Sequence, residues 1–372
     1  MKELSREHKA LLYLVAIAHG NESRSPGDNN IDWKQVMELS CQQGVSAIVL
    51  DAINILNSDN NGFVDGIKKE LQLSWIGEMI AIEQLYDIHK RTIEQLARLF
   101  SKENIEMMVL KGYGLSLNYP SPNHRPPGDI DIWLRGRQKE ADLLIEKEKG
   151  IRPRKSSHHT IFELNGCEVE NHITVLEHDT SGSNIKMDKY VTQLANENEE
   201  LIDVNGMKVL LPSAHFNSVF LLRHNSGHFA IERITIRHIL DWANFVTKYH
   251  NDIDWDSLYR YAKKTNMHRF LDCQNAICVD YLGYNKSLFP IKRVDRNLEL
   301  RILLDILNPE FDIPIPSMRE HFIRYCVVKT KRLLQNQWKY RIVNKDNFLM
   351  TFMRLGVNRL KENSKFRNKS TK

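Results

Sequence analysis

Two aspartates spaced one apart, Asp129-Ile130-Asp131, open the short piece Gly128-Asp129-Ile130-Asp131-Ile132-Trp133-Leu134. In an extended strand, side chains two apart share a face and stand roughly 6.5–7 Å from one another. Asp129 and Asp131 would therefore point into one space while Ile130, Ile132 and Leu134 enter the core. Two carboxylates so aimed raise each other's pKa unless a cation sits between them. The natural cation is Mg²⁺, which takes oxygen ligands and is commonly held by one or two carboxylates plus substrate phosphates. The pattern alone also fits a solvent-exposed strand face with acidic alternate positions. What favours chemistry lies just upstream. Lys111-Gly112-Tyr113-Gly114 is a glycine turn that lets a ligand approach the backbone closely, and the following loop carries His124 and Arg125. These are phosphate-binding parts a short distance from the acid pair.

The elements that must position these residues surround them. The apolar run at 107–110 predicts a buried strand that ends at the glycine turn. Residues 115–119 fit a helical turn or two, stopped by Pro120. Residues 137–149 are charged and predict a helix. Residues 158–164 and 167–176 predict two strands joined by Asn165-Gly166, a strong hairpin signal. On the second, Glu168, Glu170 and His172 share one face, and Val169, Ile173 and Val175 supply apolar positions. A zinc site of His158 or His159 with His172 matches no standard spacing, and adjacent strand residues face opposite ways, so at most one of the pair could join it.

Lys111-Gly112, Tyr119-Pro120, Arg125 and Gly128-Asp129-Ile130-Asp131 together resemble the signature of an uncharacterised bacterial nucleotidyltransferase family in the DNA polymerase beta-like superfamily. The resemblance implies a strand, a glycine turn opening a helix, an Asp-x-Asp on the next strand and a third acid from a later one. Tyr113 departs from the wider superfamily, which has Gly or Ser there. Glu170 followed by His172 resembles the third-acid position, with Glu168 as the rival on the same face. The likeness extends to a His-rich helix and Ile236-Arg237-His238-Ile239-Leu240-Asp241-Trp242, which implies a helical domain packed on the active site and lending cations such as Arg237 to phosphate. Arg237 and Asp241, four apart, equally fit a helix-surface ion pair.

The rest of the chain bounds this reading. At 372 residues it predicts two or three subdomains, with 42% hydrophobic and 27% charged residues as in an ordinary globular protein. A net charge of +5 suits a phosphate-bearing substrate without arguing for nucleic acid. Five scattered cysteines without Cys-x-x-Cys predict a reduced, cytoplasmic protein lacking structural zinc. The apolar run at 10–18 reads as a buried first helix rather than a signal peptide, because Glu3 and Glu7 interrupt the basic flank. Asp32 and Asp254 are candidate helix N-caps, and 64–102 predicts one or two long helices. Residues 181–210 read as a linker with a short helix and a small hairpin at Asn205-Gly206. His224 and His228 fall i, i+4 on a later helix, but Asn225 stands where a zinc protease needs Glu. Helices are predicted at 294–307, 319–335 and 347–360. The basic stretch at 329–341, with Trp338 and Tyr340, fits a solvated helix face better than an RNA or membrane surface.

The expected fold is α+β: an N-terminal helical region (1–102), a small mixed-sheet nucleotidyltransferase core (103–180), a helical domain on the active site (181–290) and a C-terminal helical region with a basic tail (291–372). The resemblance implies transfer of a nucleoside monophosphate from an NTP to a hydroxyl, with two Mg²⁺ ions, or Mn²⁺ in their place. Asp129, Asp131 and Glu170 would hold the metal, Gly112 would receive the β- and γ-phosphates, and Lys111 and Arg125 would neutralise the leaving pyrophosphate. Lys111 equally fits a structural pair with Asp129. The acceptor is a small molecule, a protein or RNA, and no membrane partner is expected. The alternatives are a catalytically silent nucleotide- or partner-binding module, for which Tyr113 speaks, and a toxin-like enzyme modifying tRNA or protein.

Overall fold

The computed structural model describes residues 3–23, 25–27, 30–156, 159–174, 190–195, 199–231, 233–309 and 322–345. His158, Val175 and Leu176, the linker at 181–189, the start of the helix predicted at 319, the helix at 347–360 and the basic tail lie outside the described residues.

Four helices precede the sheet. Helix α1 (Arg6–Ala18) starts on a capping box between Ser5 and His8, and its apolar run is buried from Ala10 to Ala16. Helix α2 (Trp33–Gln42) begins where the Asp32 carboxylate accepts the N–H groups of Lys34 and Gln35, at 3.0 and 3.2 Å. Helix α3 spans Ser46–Ser58. Helix α4 is one continuous rod, Lys69–Ser101, roughly 50 Å long at 1.5 Å per residue. Its first half meets α3, where Trp75 donates to the Ser46 carbonyl at 3.0 Å. Its second half runs under the sheet.

That sheet has seven strands: β1 (Met108–Val109), β2 (Ile130–Trp133), β3 (Arg154–Lys155), β4 (His159–Leu164), β5 (Cys167–His172), β6 (Glu200–Val204) and β7 (Met207–Leu211), in the order β3-β4-β5-β2-β1-β7-β6. It is mixed: β2 runs antiparallel to β1 but parallel to β5, and β1 runs parallel to β7. Both Asn-Gly turns have positive φ at their two central residues, as a two-residue hairpin requires. The second of these hairpins, at 200–211, extends the sheet beyond the 103–180 segment expected to hold it. The reason is backbone chemistry. The two-residue β1 is buried, so its backbone groups need a partner on each side, and β7 supplies one. A turn signal fixes that a hairpin forms, not which edge it joins.

Strand alternation divides the interior in two. Ile130, Ile132 and Leu134 join a cluster with the second half of α4 and with helix α6 (Gln138–Lys149). Trp133 faces a larger cluster that runs from Ala10 to Val343. It unites α1 and α3 with helices α7 (Ala214–Ile231), α8 (Ile236–Tyr249), α9 (Trp255–Thr265), α10 (His268–Asp280) and α11 (Arg296–Leu307). The N-terminal and C-terminal helical regions therefore share a core. Helix α12 (Phe322–Gln335) and helix α13 (Gln337–Val343) follow, and α13 shows what the basic–aromatic stretch does locally. Lys339 is buried 2.5 Å from Asp305, and the Trp338 ring lies under the Arg301 guanidinium at 3.9 Å. Lys339 is thus spent inside the protein and Trp338 is half-buried beneath a surface arginine. Among the described residues, no helix is long and apolar enough to cross a membrane.

Candidate functional site

Helix α5 (Tyr113–Ser116) follows the Lys111-Gly112 turn. Gly112 has φ 53°, ψ −106°, and a side chain there would begin 3.4 Å from the Asp129 carbonyl. Glycine is needed for this positive-φ conformation, which a side chain would strain even where the 3.4 Å contact leaves it room. Gly114 serves packing instead, since a Cβ would lie 2.8 Å from Leu211 on β7. Its N–H closes the turn on the Lys111 carbonyl at 3.0 Å. With four residues, α5 is too short for aligned peptide dipoles to build a terminal field. The Tyr113 ring packs on Tyr86 of α4, centroids 5.6 Å apart, and burial beside that ring pushes its pKa up to about 12.

Asp131 sits inside β2, in register with Glu170 on β5. It is 3% exposed, and its Oδ1 receives Lys111 Nζ at 2.9 Å and His172 Nε2 at 3.0 Å. Burial would raise its pKa, but the Lys111 charge and the His172 hydrogen bond hold it far below the usual carboxylate range. Lys111 thus pairs with Asp131 rather than Asp129. Asp129 lies one residue before the strand, at the exposed rim, where its carboxylate gathers with those of Glu168 and Glu170, donor atoms all within 4.8 Å. Partial burial, followed by the like charges of Glu170, Asp131 and Glu168, raises the Asp129 pKa. The acids closest to an open ion-binding set are therefore Asp129, Glu168 and Glu170, with Asp131 already neutralised behind them. Glu168 and Glu170, rivals in the sequence, stand together.

On its other side Glu170 meets two histidines. His159 on β4 is in register with His172 on β5, and their rings lie 5.5 Å apart. His159 is brought to this face, with its Nε2 3.5 Å from Glu170 Oε1. The hairpin pairing that joins them is long-range in its effect and leaves no metal-spacing motif.

The loop carrying Arg125 is a strap. Arg125 is 5% exposed and forks onto Asp241 of α8, Nε to Oδ1 at 2.6 Å and a terminal nitrogen to Oδ2 at 2.9 Å. The Tyr119 hydroxyl donates to the same carboxylate at 2.7 Å. Burial works to raise the Asp241 pKa, yet the Arg125 charge and hydrogen bonds bring it below its ordinary value. Arg125 is thus engaged in a buried ion pair, not turned toward a leaving group, and it takes the carboxylate that helix spacing offered to Arg237. Arg237 donates instead to the Pro126 carbonyl at 3.0 Å, and its buried Nε has no hydrogen-bond partner. Burial first, then the Arg125 charge, lowers the Arg237 pKa, and its side chain packs along Gly44, where a Cβ would lie 3.4 Å from it. His124 completes the strap, one ring nitrogen 2.7 Å from Asp51 and the other 3.1 Å from Glu83. No local signal links positions 51, 83 and 124.

His224, His228 and His238 also converge, with ring centroids 4.3, 6.2 and 6.3 Å apart. His238 Nδ1 is occupied by Thr235, whose N–H donates to it at 3.1 Å. Burial first, then the Lys111 charge and the neighbouring histidines, drives His224 well below its ordinary pKa. Burial and the Arg237 charge likewise push the His238 pKa down to about 3, so His224 and His238 are neutral.

A divalent cation fits this donor set, since three carboxylates converge where like charges already oppose ionisation. No curated protein matches the chain. The crystal structure of an antigenic nucleotidyltransferase-like protein from Paracoccidioides brasiliensis is similar over 55% of this chain and 97% of that chain, with 16% identity and a TM-score of 0.34, too distant to inform the site. Residues 29–283 match the model of a family described as uncharacterised nucleotidyltransferase. That span takes in α2 to α4, the whole sheet with its acid cluster, and α7 to α10, and the chain belongs to this nucleotidyltransferase family.

Proposed function

We propose that the protein transfers a nucleoside monophosphate from an NTP to a hydroxyl acceptor, with release of pyrophosphate. The observation that carries this is the convergence of Asp129, Glu168 and Glu170 within 4.8 Å, beside the Gly112 turn. Asp129, Glu168 and Glu170 would hold Mg²⁺, or Mn²⁺ in its place. The ion neutralises phosphate charge and lowers the pKa of a bound hydroxyl. Asp131, ionised but countered by Lys111 and His172, would hold those two side chains beside the site rather than add free negative charge. Lys111 has three donors and gives one to Asp131, so others remain for a phosphate oxygen. Arg237, whose terminal nitrogen reaches the Pro126 carbonyl on the loop leading to Asp129, would be the second phosphate donor through its remaining terminal N–H groups. Arg125 acts through structure, fastening the loop before Asp129 to α8. Catalysis is favoured over a silent binding module because three carboxylates converge at the site, while the Tyr113 ring is drawn onto Tyr86 of α4.

Isothermal titration of each NTP, with and without Mg²⁺, tests this on wild type and on Asp129→Asn/Glu168→Gln. Metal-dependent binding of an NTP that the double variant loses is the expected result and identifies the donor nucleotide. Binding indifferent to metal and to both acids would sink the proposal, as would no binding at all.

A further inference from the structure

Glu170 faces two ways. Toward Asp129 and Glu168 it completes an all-oxygen set, and toward His159 and His172 it completes a set with two imidazole nitrogens. Its oxygens are divided between the rings: Oε1 lies 3.5 Å from His159 Nε2 and Oε2 lies 3.5 Å from His172 Nε2. That separation exceeds the roughly 2.7–3.2 Å of a good N–H···O bond. It matches the ~3.4 Å between two ligands that each sit about 2.1 Å from a tetrahedral ion.

The set is also held rigidly. The β4–β5 register places His159 opposite His172. Behind the strand, Asn171 donates to Asp142 at 2.9 Å, and Asp142 accepts the Thr160 hydroxyl at 2.8 Å, which fixes both strands against α6. The side chains of His159 and His172 are 8% and 6% exposed, against 18% for Glu170. The open coordination position therefore lies on the Glu170 side, toward the oxygen cluster.

We propose that His159, Glu170 and His172 bind a borderline divalent transition ion of the zinc or cobalt class, next to the Asp129–Glu168 position and sharing Glu170 with it. Imidazole nitrogens select such ions, whereas Mg²⁺ prefers oxygen and gives up its water reluctantly. Three protein donors with one position open is the composition of a catalytic rather than a structural site. Lys111 remains on Asp131 when His172 Nε2 turns to the ion, so Asp131 keeps its countercharge. The proposal rests on the nucleotidyltransferase reading only through the shared Glu170.

The test titrates the metal-stripped full chain with Co²⁺ alone and follows visible absorption. One equivalent should give a nitrogen-ligated band that Zn²⁺ displaces and excess Mg²⁺ does not. His172→Gln should weaken Co²⁺ binding by more than the ~10–100-fold that losing a supporting hydrogen bond costs a metal site. His159→Gln, which leaves the Asp131–His172 contact in place, should do the same and guards against a folding artefact. Asp129→Asn/Glu168→Gln should keep the cobalt band while losing Mg²⁺-dependent NTP binding. No band, a band unchanged in both histidine variants, or displacement by Mg²⁺ overturns the proposal. A histidine-dependent band in a protein that binds no NTP upholds this site and removes the nucleotidyltransferase reading instead.

Discussion

The two sides of β5 hold carboxylates by opposite means. On the α6 side stands one acid, Asp142, among neutral partners: it accepts from Asn171 and Thr160, and Gln138 Nε2 donates to the Thr160 hydroxyl at 2.9 Å. Burial raises the Asp142 pKa, and the two hydrogen bonds pull it back. On the opposite face Asp129, Glu168 and Glu170 gather within 4.8 Å, and the nearest ammonium, Lys111, is committed to Asp131. Hydrogen bonds suffice for a lone half-buried acid. A cluster of acids keeps a surplus of charge that folding does not cancel, and the surplus is what recruits a cation.

The comparison breaks most easily at Glu170. Glu170→Gln should remove several kcal/mol of metal-dependent nucleotide affinity, read by calorimetry, while the Tm changes little, because relief of the Asp129 and Glu168 repulsion offsets the lost His159 and His172 contacts. A clear fall in Tm would place Glu170 on the structural side. Next comes the strap. Arg125→Met leaves Asp241 buried without its countercharge, with only the Tyr119 hydroxyl still on the carboxylate, which should cost ~3–5 kcal/mol of folding stability, measured by denaturant unfolding. A loss confined to nucleotide binding, with stability intact, would return Arg125 to the phosphate-binding role the sequence suggested. On the α6 face, Asp142→Ala strands the Thr160 and Asn171 donors and should cost about 1–3 kcal/mol of stability. NTP affinity should be unchanged in that variant, and a matching fall in affinity would erase the distinction between the faces.

The smallest effect is a pH dependence in the strap. Both His124 nitrogens face carboxylates, and the Asp51 hydrogen bond first, against the burial that opposes it, raises the His124 pKa above 6.5. Its contribution is therefore fully present below about pH 6.5, the unfolded value, and fades as pH climbs through the raised folded value. The effect is on the order of 1 kcal/mol or less, given partly exposed partners. The Tm difference between wild type and His124→Ala should shrink across that window, and a constant difference would refute it.

Much of this was legible locally. The alternation in Asp129–Leu134 announced a strand with an acidic face, and Ile130, Ile132 and Leu134 do enter one core. Asn165-Gly166 announced a hairpin, and Asp32 and Asp254 announced helix starts, because caps and tight turns are satisfied within a few residues. Identical local patterns misled where the outcome depended on distant partners. Asp129 and Asp131 look equivalent in the chain, but Lys111 and His172 reach the one inside the strand and leave the one at the rim free for Glu168 and Glu170. Arg125 and Arg237 are both loop- or helix-borne arginines near the acids, and a single buried carboxylate, Asp241, chose the first.

The sequence by itself determined the element types, the acid-bearing strands and the family, since periodicity, capping and turn chemistry act over a few residues. Only the tertiary structure decided which acids face an ion, which are neutralised, and that His159 meets His172 across Glu170. Those outcomes depend on strand register and on charges brought together from positions 111, 129, 159 and 170, and Coulomb energy responds to distance in space rather than distance along the chain.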